Sequence, residues 1–369
     1  MWSNTTAGTL YTDLMTLCSE TDAFYYVDHI YDGHLYRIFN YRLASYTDFL
    51  KPGAMECRGH TFLINGDSSV LVSAVMEKFF NVNENPMTMD LDWAQVVRVD
   101  DKRDGSLIST VVHKDGWILK SKGSLSSEQA KAATKWLDRN PAFRDAVDGL
   151  VRAGYTVNME WTAPDNQIVL GYDRSELRIL NARDMETGDY LSIDALDSNW
   201  IVDTVDFGEE MTGQWIDDAR ALTNIEGFIL WFPDGMKVKL KTDWYCNLHL
   251  QKEQVTNPRR LFESVIMEQS DDLKTLFLAD AASVARIEEM EVKAKALYNR
   301  LHKLVEGFYL ENKELSRKDY AIKGQADLKA DGVFSLAMNL YIGRDMGLKE
   351  HLIKNFKSYG IEDTSTTEE

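Results

Sequence analysis

Cysteine is scarce in this chain, and so is positive charge. Only Cys18, Cys57 and Cys246 occur in 369 residues, and their odd number and wide spacing exclude a disulfide framework and a zinc knuckle. A reducing, cytoplasmic setting is the expectation. No apolar run approaches the ~18 residues a bilayer span requires, and the opening Met1-Trp2-Ser3-Asn4-Thr5-Thr6 lacks both the basic and the apolar stretch of a leader. A soluble, unexported protein with no membrane partner is predicted. Lys and Arg number 41 against 59 Asp and Glu, for a formal net charge of −18. That field repels phosphates at long range and excludes a general, sequence-blind affinity for nucleic acid.

Any polynucleotide contact must therefore be local. The stretch from Arg98 to Lys122 carries Arg98, Lys102, Arg103, Lys114, Lys120 and Lys122 against four acids, and Lys237, Lys239 and Lys241 follow a single aspartate. Acid collects elsewhere, notably in the Thr-rich end Glu362-Asp363-Thr364-Ser365-Thr366-Thr367-Glu368-Glu369, expected to be a disordered tail from about residue 361.

What is present is an apolar fraction of 44% with nine Trp, 16 Tyr and 15 Phe, enough for a buried interior, in a length that suggests two domains. Up to about residue 249, short β-type runs alternate with turn signals. Asp32-Gly33 separates Phe24–Ile30 from Leu35–Tyr41; Asp115-Gly116 separates Leu107–His113 from Trp117–Ser121; Pro233-Asp234-Gly235 separates Phe228–Phe232 from Met236–Leu240. Helices are predicted after Ser127 and over Gly213–Leu222. These features give an α+β body built on antiparallel sheet over residues 1–249. Beyond it, Asn257-Pro258 reads as a helix cap and first position, and residues 250–369 read as an all-helical domain. Its clearest element places Ile287, Met290, Ala294, Leu297, Leu301, Leu304 and Phe308 on one apolar seam.

The tetrad Lys102-Arg103-Asp104-Gly105 carries the chemistry. An amine on a short polar turn can attack phosphorus if its pKa falls well below the ~10.4 of free lysine, although Lys-x-Asp-Gly is also an ordinary hairpin turn. Alternation puts Lys237, Lys239 and Lys241 on one face of a strand, either as an exposed edge or as a site for a polyanion. Glu160, in Asn158-Met159-Glu160-Trp161, either faces solvent or holds a divalent metal. Glu226 before Gly227 either caps a turn or accepts from ribose hydroxyls.

The order of these segments resembles the covalent nucleotidyltransferase superfamily, and within it the T-even bacteriophage ATP-dependent RNA ligases that repair tRNA. The resemblance runs through Tyr36-Arg37-Ile38-Phe39, Glu56-Cys57-Arg58-Gly59, Met76-Glu77-Lys78-Phe79-Phe80-Asn81, the tetrad, Lys120-Ser121-Lys122-Gly123, Asn224-Ile225-Glu226-Gly227, Lys241-Thr242-Asp243-Trp244-Tyr245 and Ser270-Asp271-Asp272. It implies a nucleotidyltransferase fold, ATP with Mg2+ (Mn2+ as an alternative), and a covalent AMP on Lys102. It further implies Tyr41, Arg58, Lys78, Lys122 and Glu226 as nucleotide contacts, Lys239 and Lys241 as stabilisers of charge on the reacting phosphate, and Glu160 and Asp271 as metal contacts. Tyr245 would belong to the RNA-facing steps. The implied partner is RNA with 5′-phosphate and 3′-hydroxyl ends, typically a tRNA broken in its anticodon loop and recognised by the helical domain. A monomer is expected, in the host cytoplasm if the source is viral. Two positions depart from the pattern: Arg103 replaces an acid and Gln167 an arginine. The competing readings are a DNA ligase, a capping-type nucleotidyltransferase and an inactive RNA-end-binding module.

Overall fold

Hairpin chemistry builds most of the first half. The Asp32-Gly33 pair takes up left-handed angles (φ 49° and 78°) and joins β1 (Phe24–Tyr31) to β2 (His34–Tyr41) in the tight turn such dipeptides favour. β3 (Thr61–Asn65) and β4 (Ser68–Ser73) extend this pair into a four-stranded antiparallel meander. In the computed structural model, which describes residue 2 and residues 5–166, 170–249, 253–278 and 281–361, the chain divides into two compact units, Met1–His249 and Leu250–Glu369. Gln167 and the acidic end beyond residue 361 lie outside the described residues.

The remaining strands of the first unit are β5 (Phe80–Asn81), β6 (Arg98–Asp101), β7 (Ser106–His113), β8 (Gly116–Ser121), β9 (Tyr155–Thr162), β10 (Glu176–Asp184), β11 (Tyr190–Leu191), β12 (Gly227–Trp231) and β13 (Lys237–Lys241). They form a five-stranded sheet, β11-β10-β9-β7-β8, and a four-stranded sheet, β5-β13-β12-β6. All pairings are antiparallel except the short β5–β13 contact. In the second predicted hairpin the turn lies one residue early. His113 pairs with Gly116, so Lys114 (φ 52°) and Asp115 make the loop and Gly116 opens β8.

Helices cover one face of each sheet. Leu10, Leu14 and Leu17 of the helix Leu10–Glu20 cover Phe24, Phe39 and Phe62 of the meander. The helices Glu128–Leu137, capped by the Ser127 hydroxyl, and Pro141–Arg152 cover Val157, Met159 and Trp161 of β9. The helix Gly213–Ala221 packs Ile216 and Ala219 on Phe228, Leu230 and Val238. Alternation then turns Glu160 of β9 away from the helix-covered face.

The second unit is helical throughout its described residues. Asn257 caps Pro258–Ile266, its side chain accepting from the Arg259 and Arg260 amides at 3.1 Å. Within the helix Ala281–Asn312 the buried seam is Ile287, Met290, Ala294, Leu301, Val305, Phe308 and Asn312. Leu297 and Leu304 are only half-buried. A helix of 3.6 residues per turn drifts against a strict three-four alternation, which moves the seam from Leu304 to Val305 by the fifth turn.

Candidate active site

Lys102 leaves the end of β6 beside β12, where its amide donates to the Gly227 carbonyl at 2.9 Å. Its ammonium meets Glu226 at 2.5 Å, and the same carboxylate oxygen lies 3.3 Å from the Lys241 ammonium. Two lysines more than a hundred residues apart thus share one buried carboxylate, brought together because β6 and β13 flank β12.

Gly227 makes this closeness possible. Its φ is +150°, and a Cβ there would sit 2.0 Å from the Leu240 carbonyl oxygen. The tetrad's own glycine works by proximity too. Gly105 has no left-handed φ, but a Cβ on it would approach the Trp161 carbonyl oxygen to 2.4 Å, and its amide donates to Glu160 at 3.1 Å. Asp104 is buried and braces the loop, accepting from the Tyr245 hydroxyl at 2.9 Å and the Leu170 amide at 2.6 Å. Tyr245 is therefore a buried support of the Lys102 loop, with the Lys241 ammonium 5.1 Å from its ring centre.

Part of the Glu160 side chain still reaches solvent, but protein surrounds its carboxyl. Desolvation, aided by repulsion from Glu226, raises its pKa to about 7 against the opposing pull of Lys102, Arg58 and the Gly105 amide. Lys102, Glu226 and Arg58 thus all act on the Glu160 carboxyl.

The other cations gather around an aromatic wall. Lys78 is buried with its ammonium 5.0 Å from the Phe80 ring centre and 5.8 Å from that of Tyr41, and Lys122 lies 4.9 Å from the Tyr41 ring. Arg58 donates to the Met76 carbonyl at 3.3 Å and the Lys78 amide to the Met55 carbonyl at 2.7 Å, which laces the two cation-bearing segments together. Lys239 lies 5.9 Å from the Phe79 ring.

The uniform lysine face expected of β13 is not what forms. Lys237 is buried and paired with Glu77, which also accepts from Tyr190. Arg183 completes this interior network, donating to Glu56 at 2.7 and 2.9 Å and lying 3.5 Å from Glu77. Burial alone would raise the Glu77 pKa, but Lys237 and Arg183 outweigh it and hold it at about 2. Two carboxylates and two cations balance, so only Lys239 and Lys241 keep partly open positions on that face. The sequence reading missed this network. Its one visible trace was that Glu56, Glu77 and Lys237 each stand one or two places before a predicted phosphate contact.

Lys120 was missed as well. It is fully buried, its ammonium donating among the described residues to the Ser121 and Lys122 carbonyls at 3.2 and 3.4 Å, and burial with Arg58 and Lys122 nearby lowers its pKa to about 7. Asp271 lies in the first turn of the helix Ser270–Leu276 of the second unit, 3.8 Å from Lys274. Among the described residues no three His, Cys, Asp or Glu side chains converge as a metal site.

Residues 56–245 match the family described as RNA ligase, and residues 252–363 match the one described as T4 RNA ligase 1, C-terminal domain. A protein of Thermovibrio ammonificans named "Putative RNA ligase" is 26% identical over 72% of this chain and 71% of its own length. A "Putative bifunctional polynucleotide kinase/RNA ligase" of Autographa californica nuclear polyhedrosis virus is 26% identical over 67% of this chain, and the match spans 38% of that relative. The solved structure of an archaeal ATP-dependent RNA ligase aligns with a TM-score of 0.48 at 14% identity, over 93% of this chain and 94% of the other. The family match alone takes in Arg58, Lys78, Lys102, Glu160, Glu226, Lys239 and Lys241, and on it the chain belongs to the RNA ligase family, with a T4 RNA ligase 1-type C-terminal domain following.

Proposed function

We propose that this RNA ligase uses ATP to form a lysyl-AMP intermediate on Lys102 and then joins a 5′-phosphate to a 3′-hydroxyl, with a broken tRNA anticodon loop as its substrate. The observation that carries this reading is the Lys102 amine held at 2.5 Å by Glu226, with Lys241, Glu160 and Arg58 around it.

The Lys102 nitrogen attacks the α-phosphorus of ATP; a P–N bond forms, the bond to pyrophosphate breaks, and one proton leaves the amine. Arg58, Lys78 and Lys122 offset charge on the triphosphate, while Lys239 and Lys241 face the reacting phosphate. Glu226 exchanges the lysine for ribose hydroxyls. A 5′-phosphate oxygen of RNA then takes the adenylyl group, breaking the P–N bond, and attack by the 3′-hydroxyl expels AMP and seals the phosphodiester. Two carboxylates converge on the amine, and the protonation that burial favours on Glu160 would be relieved by a cation. This donor set fits one divalent ion sharing phosphate oxygens and water rather than a protein-only cage. When bound, that Mg2+ or Mn2+ would neutralise phosphate charge. Asp271 would be a second metal contact.

The protein incubated with ATP and magnesium should gain the mass of one AMP. Lys102→Ala and Lys102→Arg should both lose it, the latter because a guanidinium keeps its proton. An adduct that survives either change removes Lys102 from this role. Sealing of nicked DNA in preference to RNA would favour the DNA-ligase alternative.

A further inference from the structure

The first unit has a second cleft, outside the lysine site, at the open end of β10. It is a cavity of about 600 Å3 lined by Trp136, Arg139, Phe143, Arg174, Arg178 and Trp200, with Glu176 as its one acid. The rings form its apolar wall: Phe143 meets Trp136 edge-on at 5.2 Å and Trp200 at 6.0 Å, and both tryptophans stay half-exposed. Arg139 is exposed and makes no ion pair among the described residues. Arg174 is exposed with Glu176 at 3.1 Å, while Arg178 donates to the Ser198 and Ile201 carbonyls at 3.3 and 3.1 Å. In a chain of net charge −18, a cavity with three arginines, one acid and two accessible indole rings stands apart.

The cleft joins the nucleophile's neighbourhood through one side chain. Glu176 lies 3.8 Å from Arg103, the residue after Lys102, and Asp203 lies 3.8 Å from both Arg103 and Arg178. Arg103 is thereby turned toward the cleft, its guanidinium 5.3 Å from the Tyr172 ring.

We propose that this cleft binds a single-stranded segment of the RNA substrate, Arg139 and Arg174 taking backbone phosphates and an indole face taking an unstacked base. Guanidinium and aromatic groups together suit single-stranded nucleic acid, since every base has a face to stack and every nucleotide a phosphate. The cavity is of the size that holds one small ligand, about 300–1,000 Å3, so it admits a splayed base and excludes a duplex. The assignment rests on the RNA ligase reading of the Lys102 site.

The test uses the full chain, a short fluorescein-labelled oligouridylate read by anisotropy, and the Arg139→Ala/Arg174→Ala variant. Affinity for the probe should fall roughly tenfold, and the slope of log affinity against log salt should shallow by about 1.4, the value for two lost single-strand phosphate contacts. The AMP adduct on Lys102 should form as in wild type. An unchanged affinity and slope, or no probe binding by wild type, overturns the cleft. Displacement of the probe by uridine monophosphate as effectively as by unlabelled oligomer makes the cavity a mononucleotide pocket and also overturns it. Loss of the adduct from wild type, with arginine-dependent probe binding intact, would instead count against the proposed function alone.

Discussion

A buried lysine without a carboxylate partner is costly, and Lys120 is the clearest case here. Its pKa falls from 10.5 in the unfolded chain to about 7 in the folded one. Below about pH 7 both states hold the proton and the full cost of burying the cation is present. Between about 7 and 10.5 only the unfolded chain is protonated, so this cost diminishes as pH rises and is gone above that window. Lys120→Met should therefore raise Tm at pH 7, by roughly 5 °C, with the advantage shrinking toward pH 10. Thermal unfolding at the two pH values checks it, and an equal shift at both would show that the lysine is uncharged throughout. Glu160 becomes a carboxylate only as pH rises through about 7, so with the proposed metal role magnesium affinity, read by calorimetric titration, should climb across that interval.

Pairs of strands explain why certain small or charged residues cannot be exchanged. Gly227 stands opposite Lys241 in the β12–β13 ladder, where a Cβ would meet both the Leu240 carbonyl and the Lys241 backbone. These are backbone atoms of the neighbouring strand, which leaves nothing flexible to yield. The Glu56–Arg183–Glu77–Lys237 network ties β10 and β13 to the two segments that end in Arg58 and Lys78. Removing one member leaves an unpaired buried charge, so Arg183→Met should cost about 3–5 kcal/mol in urea unfolding. A loss under about 1 kcal/mol would mean the network contributes no more than a surface pair. The Glu77 pKa, held at about 2 against 4.5 when free, adds stability that is present above about pH 4.5 and lost as pH falls toward 2.

For the molecule as a whole, the proposed reaction divides between the two units that meet in sequence at His249. Lys102, Glu160, Glu226, Lys239 and Lys241 all belong to Met1–His249. A fragment ending at residue 249 should therefore form the AMP adduct while losing most tRNA sealing, and Asp271→Ala in the full chain should slow sealing with adduct formation within about twofold. Intact mass and a ligation assay read the two steps. Failure of a folded fragment to form the adduct would assign the first step to both units. In a chain of net charge −18 any attraction to RNA must be local, so ionic strength should act on few contacts.

Local chemistry made much of this protein legible from its residues alone. Asp32-Gly33 set a hairpin, Ser127 and Asn257 set helix starts, and Lys102-Arg103-Asp104-Gly105 marked the loop where the candidate site gathers, because each depends on neighbours a few positions away. Other features came only with tertiary structure. Gly105 is required by the Trp161 carbonyl, and Lys237 leaves the open lysine face because Glu77, 160 residues earlier in the chain, neutralises it. Arg183 reaches Glu56 across 127 residues, and the arginines of the second cleft meet two indole rings only once β10 has its place in the sheet. Periodicity reports which way a side chain points, whereas burial and charge neutralisation depend on what the rest of the chain brings to that side.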